Sequence, residues 1–369
     1  METKPRIRLF GVLLKATVLF LLFNFAFLFI RDIPLGKLTL YNSLVPGRER
    51  FPFGEASQAY NQSLFDLEAM FASHVIDGTE QSPDEYRVVL IGDSSVWGTL
   101  LTPEQTLAGQ LNARTIKACG RNVRVYNLGY PYISLAQELL ILDRALQYHP
   151  DMVIWLTTLE SLPKEKQLGS PLVANNPERI REIIAKYKLN LDPDDPALRY
   201  PTNWDETFVN RRRHLADLLR LQINGLLWAA TGIDQYYPED YERAQIDLDA
   251  DEKFHEFTPD VSLSDVLSFE ILDAGMSAAN VPTLLINEPI LISNGRNSDI
   301  RYNFFYPRWA YDEYRTLLAE RAKQNNWNYL DTWDLVPMQE FTNSGVHMTP
   351  YGESLLATQV AQQIPIICK

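Results

Sequence analysis

Two short segments carry residue types that together could do nucleophilic chemistry. Arg87-Val88-Val89-Leu90-Ile91 is an apolar, β-branched run that ends in Gly92-Asp93-Ser94-Ser95. A serine just past the carboxyl end of a buried strand sits where open α/β sheets place their ligands. Far downstream, Val346-His347-Met348-Thr349-Pro350-Tyr351-Gly352 offers a histidine immediately before an apolar helical pattern. A free hydroxyl is a poor nucleophile and needs a base within hydrogen-bond reach. His347 is the candidate base for Ser94, accepting its proton and returning it to the leaving group. The competing role for Ser94 is a helix N-cap, for which serine is equally suited. For His347 it is an ordinary surface or core histidine.

A sheet must bring these two residues together. Continuous apolar segments predict strands at Arg87–Gly92, Val123–Leu128, Met152–Thr157, Pro282–Asn287 and Asn328–Asp331, covered on both faces. Helical periodicity lies between them at Pro103–Thr115, Ser134–Gln147, Ser264–Ala279 and Ala310–Gln324, with a closing helix at Glu353–Ile364. Alternation of this kind predicts a five-stranded parallel sheet in a three-layer, flavodoxin-like α/β core.

The first segment, residues 1–35, departs from the rest. Lys4, Arg6 and Arg8 precede an almost wholly apolar run from Leu9 to Ile30, with Lys15 and Asn24 inside it and Arg31 and Asp32 following. That is about the ~20 residues a helix needs to cross a bilayer. Phe27-Leu28-Phe29-Ile30 lacks the small residues of a signal-peptide cleavage site, so an uncleaved anchor is expected. The positive-inside rule then puts the N-terminus in the cytoplasm and the remaining chain outside, in the periplasm or extracellular space. Residues 36–86 form a juxtamembrane segment packing on the core, with a helix expected from Tyr60 to Val75. Core residues 87–159 and 262–369 flank an insertion at 160–261, too long for an ordinary connection. It carries helical patterns at Pro177–Tyr187 and Glu206–Ala230 and is expected to cap the site. Arg211-Arg212-Arg213 ahead of Leu215, Leu218, Leu219, Ile223, Leu226, Leu227 and Trp228 suits either a membrane surface or packing on the core.

Composition narrows the function. The 369 residues are 46% hydrophobic, enough for a substantial core. A net charge of −13 argues against nucleic acid as a partner. The five histidines are scattered without ligand-type pairing, so no metal or other cofactor is expected. Cys119 and Cys368 could pair in an oxidising compartment. Asn61-Gln62-Ser63 is a glycosylation sequon for a eukaryotic host.

Gly92-Asp93-Ser94-Ser95, Tyr126-Asn127-Leu128-Gly129 and His347 with Gly352 occur in an order that resembles the blocks of the SGNH (GDSL-type) hydrolase superfamily. The resemblance spans Arg87 to Ile364 apart from the insertion. It implies Ser94 and His347 as catalytic residues, with an oxyanion hole from the backbone N–H groups of Ser94 and Gly129. A third donor usually comes from asparagine in a G-x-N-D block. Here the segment reads Trp155-Leu156-Thr157-Thr158-Leu159-Glu160, so Thr158 is either that donor or a plain strand-end threonine. The family's D-x-x-H is also altered: Ser344 stands three before His347, with Asn343 ahead of it. Asn343 and Ser344 are candidates to orient the imidazole, and Asp331 and Asp334 are the nearest upstream acids. Asp93 is read as holding its loop, and Glu288, after the fourth strand, as a solvated loop acid or a substrate contact. The resemblance implies an esterase or O-acyltransferase that passes an acyl group through Ser94. Single-anchor relatives act on O-acylated cell-envelope glycan, often beside a multi-span membrane acyltransferase, which implies such a substrate and partner here. A lipase acting on membrane lipid and a non-catalytic SGNH-like binding or assembly protein are the alternatives.

Overall fold

The computed structural model describes residues 8–30, 35–54, 62–233 and 240–368. Lys4, Arg6, Arg31, Asp32, Asn61 of the sequon and the first residues of the helix expected from Tyr60 lie outside them.

Six strands form one sheet: β1 (Glu85–Ile91), β2 (Lys117–Ala118), β3 (Arg121–Asn127), β4 (Met152–Thr157), β5 (Thr283–Asn287) and β6 (Asn328–Asp331). Their order is β2-β3-β1-β4-β5-β6. The expectation of five strands is therefore corrected to six. The addition, β2, is a two-residue edge strand antiparallel to β3, joined to it through Cys119 and Gly120, both at positive φ. The other neighbours pair in parallel. Leaving β2 aside, the order is the doubly wound 2-1-3-4-5 arrangement, whose switch point falls between β1 and β4.

Side-chain alternation sorts the strands into two cores. Val89, Ile91, Trp155 and Leu285 face helices Leu135–Ala145, Phe269–Ala278 and Arg308–Gln324. Val88, Leu90, Ile154, Leu156, Leu284 and Ile286 face helices Leu107–Asn112 and Pro350–Ile367. Gly275 lets its helix press onto the sheet, because a Cβ there would lie 2.1 Å from the Trp155 ring.

Several helices are shorter or more divided than the periodicity suggested. Pro103–Thr115 breaks at Thr106, whose hydroxyl accepts from Gly109 N–H and starts a new helix. Ser264–Ala279 breaks at Leu267, which is extended. The helix expected from Tyr60 to Val75 runs only Leu67–Ser73 among the described residues, because the Asp66 carboxylate caps it by accepting from Ala69 N–H at 3.0 Å.

The insertion does not behave as one unit. Its Pro177–Tyr187 helix packs on the Leu135–Ala145 helix. Its Phe208–Thr231 helix lies on the N-terminal segments: Gly225 meets the Tyr41 ring, and Gln222 Oε1 accepts from Leu40 N–H at 2.7 Å. Among the described residues, the later part of the insertion approaches the histidine loop, where Ala244 N–H donates to Thr342 O at 2.8 Å.

The Leu9–Phe27 helix continues as a 3-10 turn to Ile30, and together these 22 residues have mean hydropathy 2.3 and lie largely outside the packed core. This N-terminal helix is long and apolar enough to span a membrane.

Cys119 and Cys368 are disulfide-bonded, with Cα atoms 5.8 Å apart across a sequence separation of 249. The bond ties the β2–β3 turn to the end of the closing helix that His347 precedes. Reduction, or replacement of both cysteines by serine, should lower stability by about 2–4 kcal/mol, measured by denaturant titration. Coincident unfolding curves for oxidised and reduced protein would contradict this.

Candidate active site

The site is built at the carboxyl ends of the parallel strands. β1 stops at Gly92, where a Cβ would lie 2.6 Å from the Val96 side chain. The buried Asp93 carboxylate then accepts from Ser95 N–H at 2.7 Å and caps the short helix Ser94–Trp97. Asp93 thus holds the turn, as read from the sequence.

The turn aims Ser94 at the histidine: the Ser94 hydroxyl lies 2.8 Å from His347 Nε2. His347 Nδ1 lies 2.9 Å from Asn343 Oδ1. With Asn343 accepting the Nδ1 proton, Nε2 is left with a lone pair facing the serine, the tautomer a general base requires. A small hairpin fixes the ring: Phe341 bridges Met348, and Thr342 N–H donates to His347 O at 2.8 Å. Thr349 next caps the closing helix, accepting from Gly352 N–H. Asn343 therefore occupies the orienting place and Ser344 does not, because the hairpin brings the fourth residue before His347, rather than the third, beside the ring. Asp331 is engaged by Asn287 Nδ2 at 2.8 Å and by Arg315, and Asp334 is exposed. Among the described residues no carboxylate contacts the imidazole. Desolvation pushes the His347 pKa down to about 4, so the ring is neutral at physiological pH.

The oxyanion candidates divide. No hydrogen-bond partner of the Ser94 N–H is found among the described residues. Gly129 makes the expected close approach, since a Cβ there would lie 2.4 Å from Trp97 N. Its N–H, however, donates to Asn127 Oδ1 at 3.0 Å, while Asn127 Nδ2 donates to Val96 O at 2.7 Å. Asn127 thereby stitches the β3 turn to the nucleophile turn. Thr158 is fully buried and its hydroxyl pairs with the Tyr306 hydroxyl at 2.9 Å, so that hydroxyl is structurally committed.

Glu288 is neither solvated nor at the surface. It is 2% exposed, and its Oε2 accepts from the Ser95 hydroxyl at 2.6 Å, directly behind the nucleophile. Burial first, and then the nearby Asp93 carboxylate, drive its pKa well above the usual carboxylate range, favouring the neutral form. The adjacency Glu288-Pro289 at a strand end was legible; its burial was not. Arg50 was missed altogether. It is buried, donates to Trp97 O, Gly98 O and Leu101 O at 2.9–3.1 Å, and lies over the Trp97 ring. His74, fully buried and neutral, supports β3 from the same segment through Asn127 O at 3.0 Å.

A cavity of about 310 Å³ is lined by Glu160, Asp247, Asp251, His255, Arg301 and Phe304 among others, and neither Ser94 nor His347 is in its lining. Glu160 follows Thr158 by two residues, and Phe305, also in the lining, lies against Gly345 of the histidine loop.

No family model and no curated protein matches the chain. Solved structures similar to it include Est24, a carbohydrate acetylesterase from Sinorhizobium meliloti, at 12% identity, TM-score 0.36, covering 76% of this chain and 98% of that one. An aryl esterase of M. smegmatis matches at 13% identity, TM-score 0.36, covering 76% and 99%. A lipase/acylhydrolase from Enterococcus faecalis matches at 15% identity, TM-score 0.36, covering 76% and 96%. All three are named as ester-cleaving enzymes. Likenesses this distant carry no argument about the chemistry of this chain, which rests on its own geometry.

Two results are expected. The His347 imidazole should titrate near pH 4 by NMR, and Asn343→Asp should raise that value, because a carboxylate at Nδ1 favours the imidazolium. An ordinary wild-type titration near 6.5 would contradict the desolvation argument. Separately, Glu288→Gln keeps a neutral acceptor for Ser95 and should be tolerated, whereas Glu288→Ala should cost about 1–3 kcal/mol by denaturant titration. Equal losses for the two variants would show that the Ser95 contact is not what Glu288 supplies.

Proposed function

We propose that this chain is a membrane-anchored SGNH-type serine esterase or O-acyltransferase. The observation that carries this reading is the chain of contacts from Ser94 Oγ to His347 Nε2 and from Nδ1 to Asn343. Ser94 Oγ attacks the ester carbonyl while its proton moves to Nε2. The tetrahedral oxyanion forms beside the Ser94 N–H, the donor left over by the local hydrogen bonding. Collapse of the intermediate expels the alcohol, which takes the proton from Nε2 and leaves the acyl group on Ser94. Water then yields the carboxylic acid, or an acceptor hydroxyl yields a new ester; either nucleophile loses its proton to Nε2, which passes it to the departing Ser94 Oγ. A neutral asparagine orients the ring but does not offset the imidazolium charge, so turnover should be slow beside enzymes with a full triad.

The proposed substrate is O-acylated cell-envelope glycan. The polar cavity with partly exposed Phe304 suits a polyhydroxylated ring, and an acidic chain disfavours nucleic acid. Leu9–Ile30 would anchor the chain in the cell membrane, with the insertion and both core segments outside; the disulfide favours an oxidising compartment. A multi-span membrane acyltransferase would be the partner that delivers acyl groups.

One observation favours a second reading, a glycan-binding protein without turnover. The Gly129 N–H and Thr158 hydroxyl, expected to serve an oxyanion, already have partners inside the chain. A fluorophosphonate probe separates the two. Wild-type protein should label and release acetate from an activated ester, and both activities should vanish in Ser94→Ala and His347→Ala. A wild type that neither labels nor turns over supports the binding reading; labelling that persists in Ser94→Ala removes Ser94 as the nucleophile.

A further inference from the structure

The Phe208–Thr231 helix carries two apolar stripes on opposite sides. Leu218, Leu221, Gly225 and Trp228 form one, and it is buried against the rest of the chain. Leu219, Ile223, Leu226 and Leu227 form the other at i, i+4, i+7 and i+8, and they are 61%, 53%, 38% and 55% exposed. At 100° per residue the second stripe lies roughly half a turn from the first and continues through Ala216 back to Arg212. Packing on the core explains only the first stripe.

The covering phase is indicated by where this helix begins. Phe208 packs edge-on against Phe23 and Phe27, with ring centroids 5.0 and 5.5 Å away. Val209 N–H donates to the Asn24 side chain at 3.2 Å. Phe23 and Phe27 lie seven and three residues before Ile30, the end of the apolar N-terminal span. At 1.5 Å per residue this places Phe208 about 5–10 Å inside that end. An interfacial helix seats its apolar face about that deep below the headgroups. Leu38, Leu40 and Leu44 are also strongly exposed, and Leu40 is tied to the helix through Gln222, so they extend the same apolar surface. Trp204, 69% exposed just before the helix, is the residue type that settles at bilayer interfaces. Arg212 and Arg213 are exposed at its start, placed for lipid phosphates.

We infer that the Phe208–Thr231 helix lies in the outer interface of the bilayer, its Leu219–Ile223–Leu227 stripe in contact with lipid. This rests on the reading of Leu9–Ile30 as a membrane span. The catalytic domain is then held against the membrane at two places and cannot swing freely on a tether.

The test uses the full-length chain in vesicles of phosphatidylethanolamine and phosphatidylglycerol. Because the native cysteines are paired, single cysteines at Leu19, Ile223, Leu227 and Lys323 can each take an environment-sensitive fluorophore. Labels at 223 and 227 should be blue-shifted and lose about half their emission to lipids carrying a shallow nitroxide, as expected for a side chain at interfacial depth. The label at Leu19 should respond most to a deep nitroxide, and that at exposed Lys323 to neither. Water-like, unquenched labels at 223 and 227, with Leu19 lipid-buried, would overturn the interfacial placement and leave the anchor standing. Blue-shifted but unquenched labels would also overturn it, showing that a second copy covers the stripe. A water-like label at Leu19 would remove the anchor and this inference together.

Discussion

The 2.8 Å hydrogen bond between Ser94 and His347 sets the tolerance within which the fold must hold. It joins residues 253 positions apart in sequence, so no local propensity can produce it. Its two halves come from different layers: Ser94 rides on the turn after a central strand, and His347 on a hairpin before the closing helix. Supports therefore concentrate around it. Asp93 caps the nucleophile turn, Asn127 ties that turn to its neighbour, and Arg50 collects three carbonyls just beyond it. Glu288 holds Ser95 from below. Arg50 comes from the segment between the N-terminal helix and β1, which thus braces the core as well as linking it to that helix.

The same region shows a consistent electrostatic choice. Carboxyl groups near the nucleophile are buried and driven toward their neutral forms, as at Glu288 and at Glu138, whose Oε2 accepts from the Trp155 indole. The imidazole is likewise held neutral, with an amide where a charged partner would raise its pKa. Nε2 carries a free lone pair facing the serine, but its lowered pKa makes it a weak base, and the cation it becomes is poorly compensated.

Much of this was legible in the sequence, for identifiable reasons. β1, β4 and β5 are buried along their whole length, so their apolar runs are continuous and hard to mistake, whereas β3 is buried only at its carboxyl end and β6 is partly exposed. β2 was not legible, because two residues carry no period and its pairing depends on the turn at Cys119 and Gly120. Helix breaks at Thr106 and Leu267 were hidden because apolar spacing continues across them. At the site, Ser94 and His347 stood out by type and position. Asn343 could be named but not chosen over Ser344, since that choice depends on the Phe341–Met348 bridge. Glu288, Arg50 and Tyr306 fell outside reach for one shared reason: their roles come from burial by distant segments.

The Phe208–Thr231 helix extends the same lesson to the membrane. The sequence offered a membrane surface or the core as its partner, and the structure shows an apolar stripe for each side. The central claim remains the chemistry of Ser94. It is tested most directly by rapid acid quench of the wild-type chain with excess activated acetyl ester, followed by peptide mass spectrometry. The account predicts an acetyl adduct on the peptide containing Ser94 that forms and decays with turnover; adducts confined to other residues, or none under conditions where ester is consumed, would contradict it.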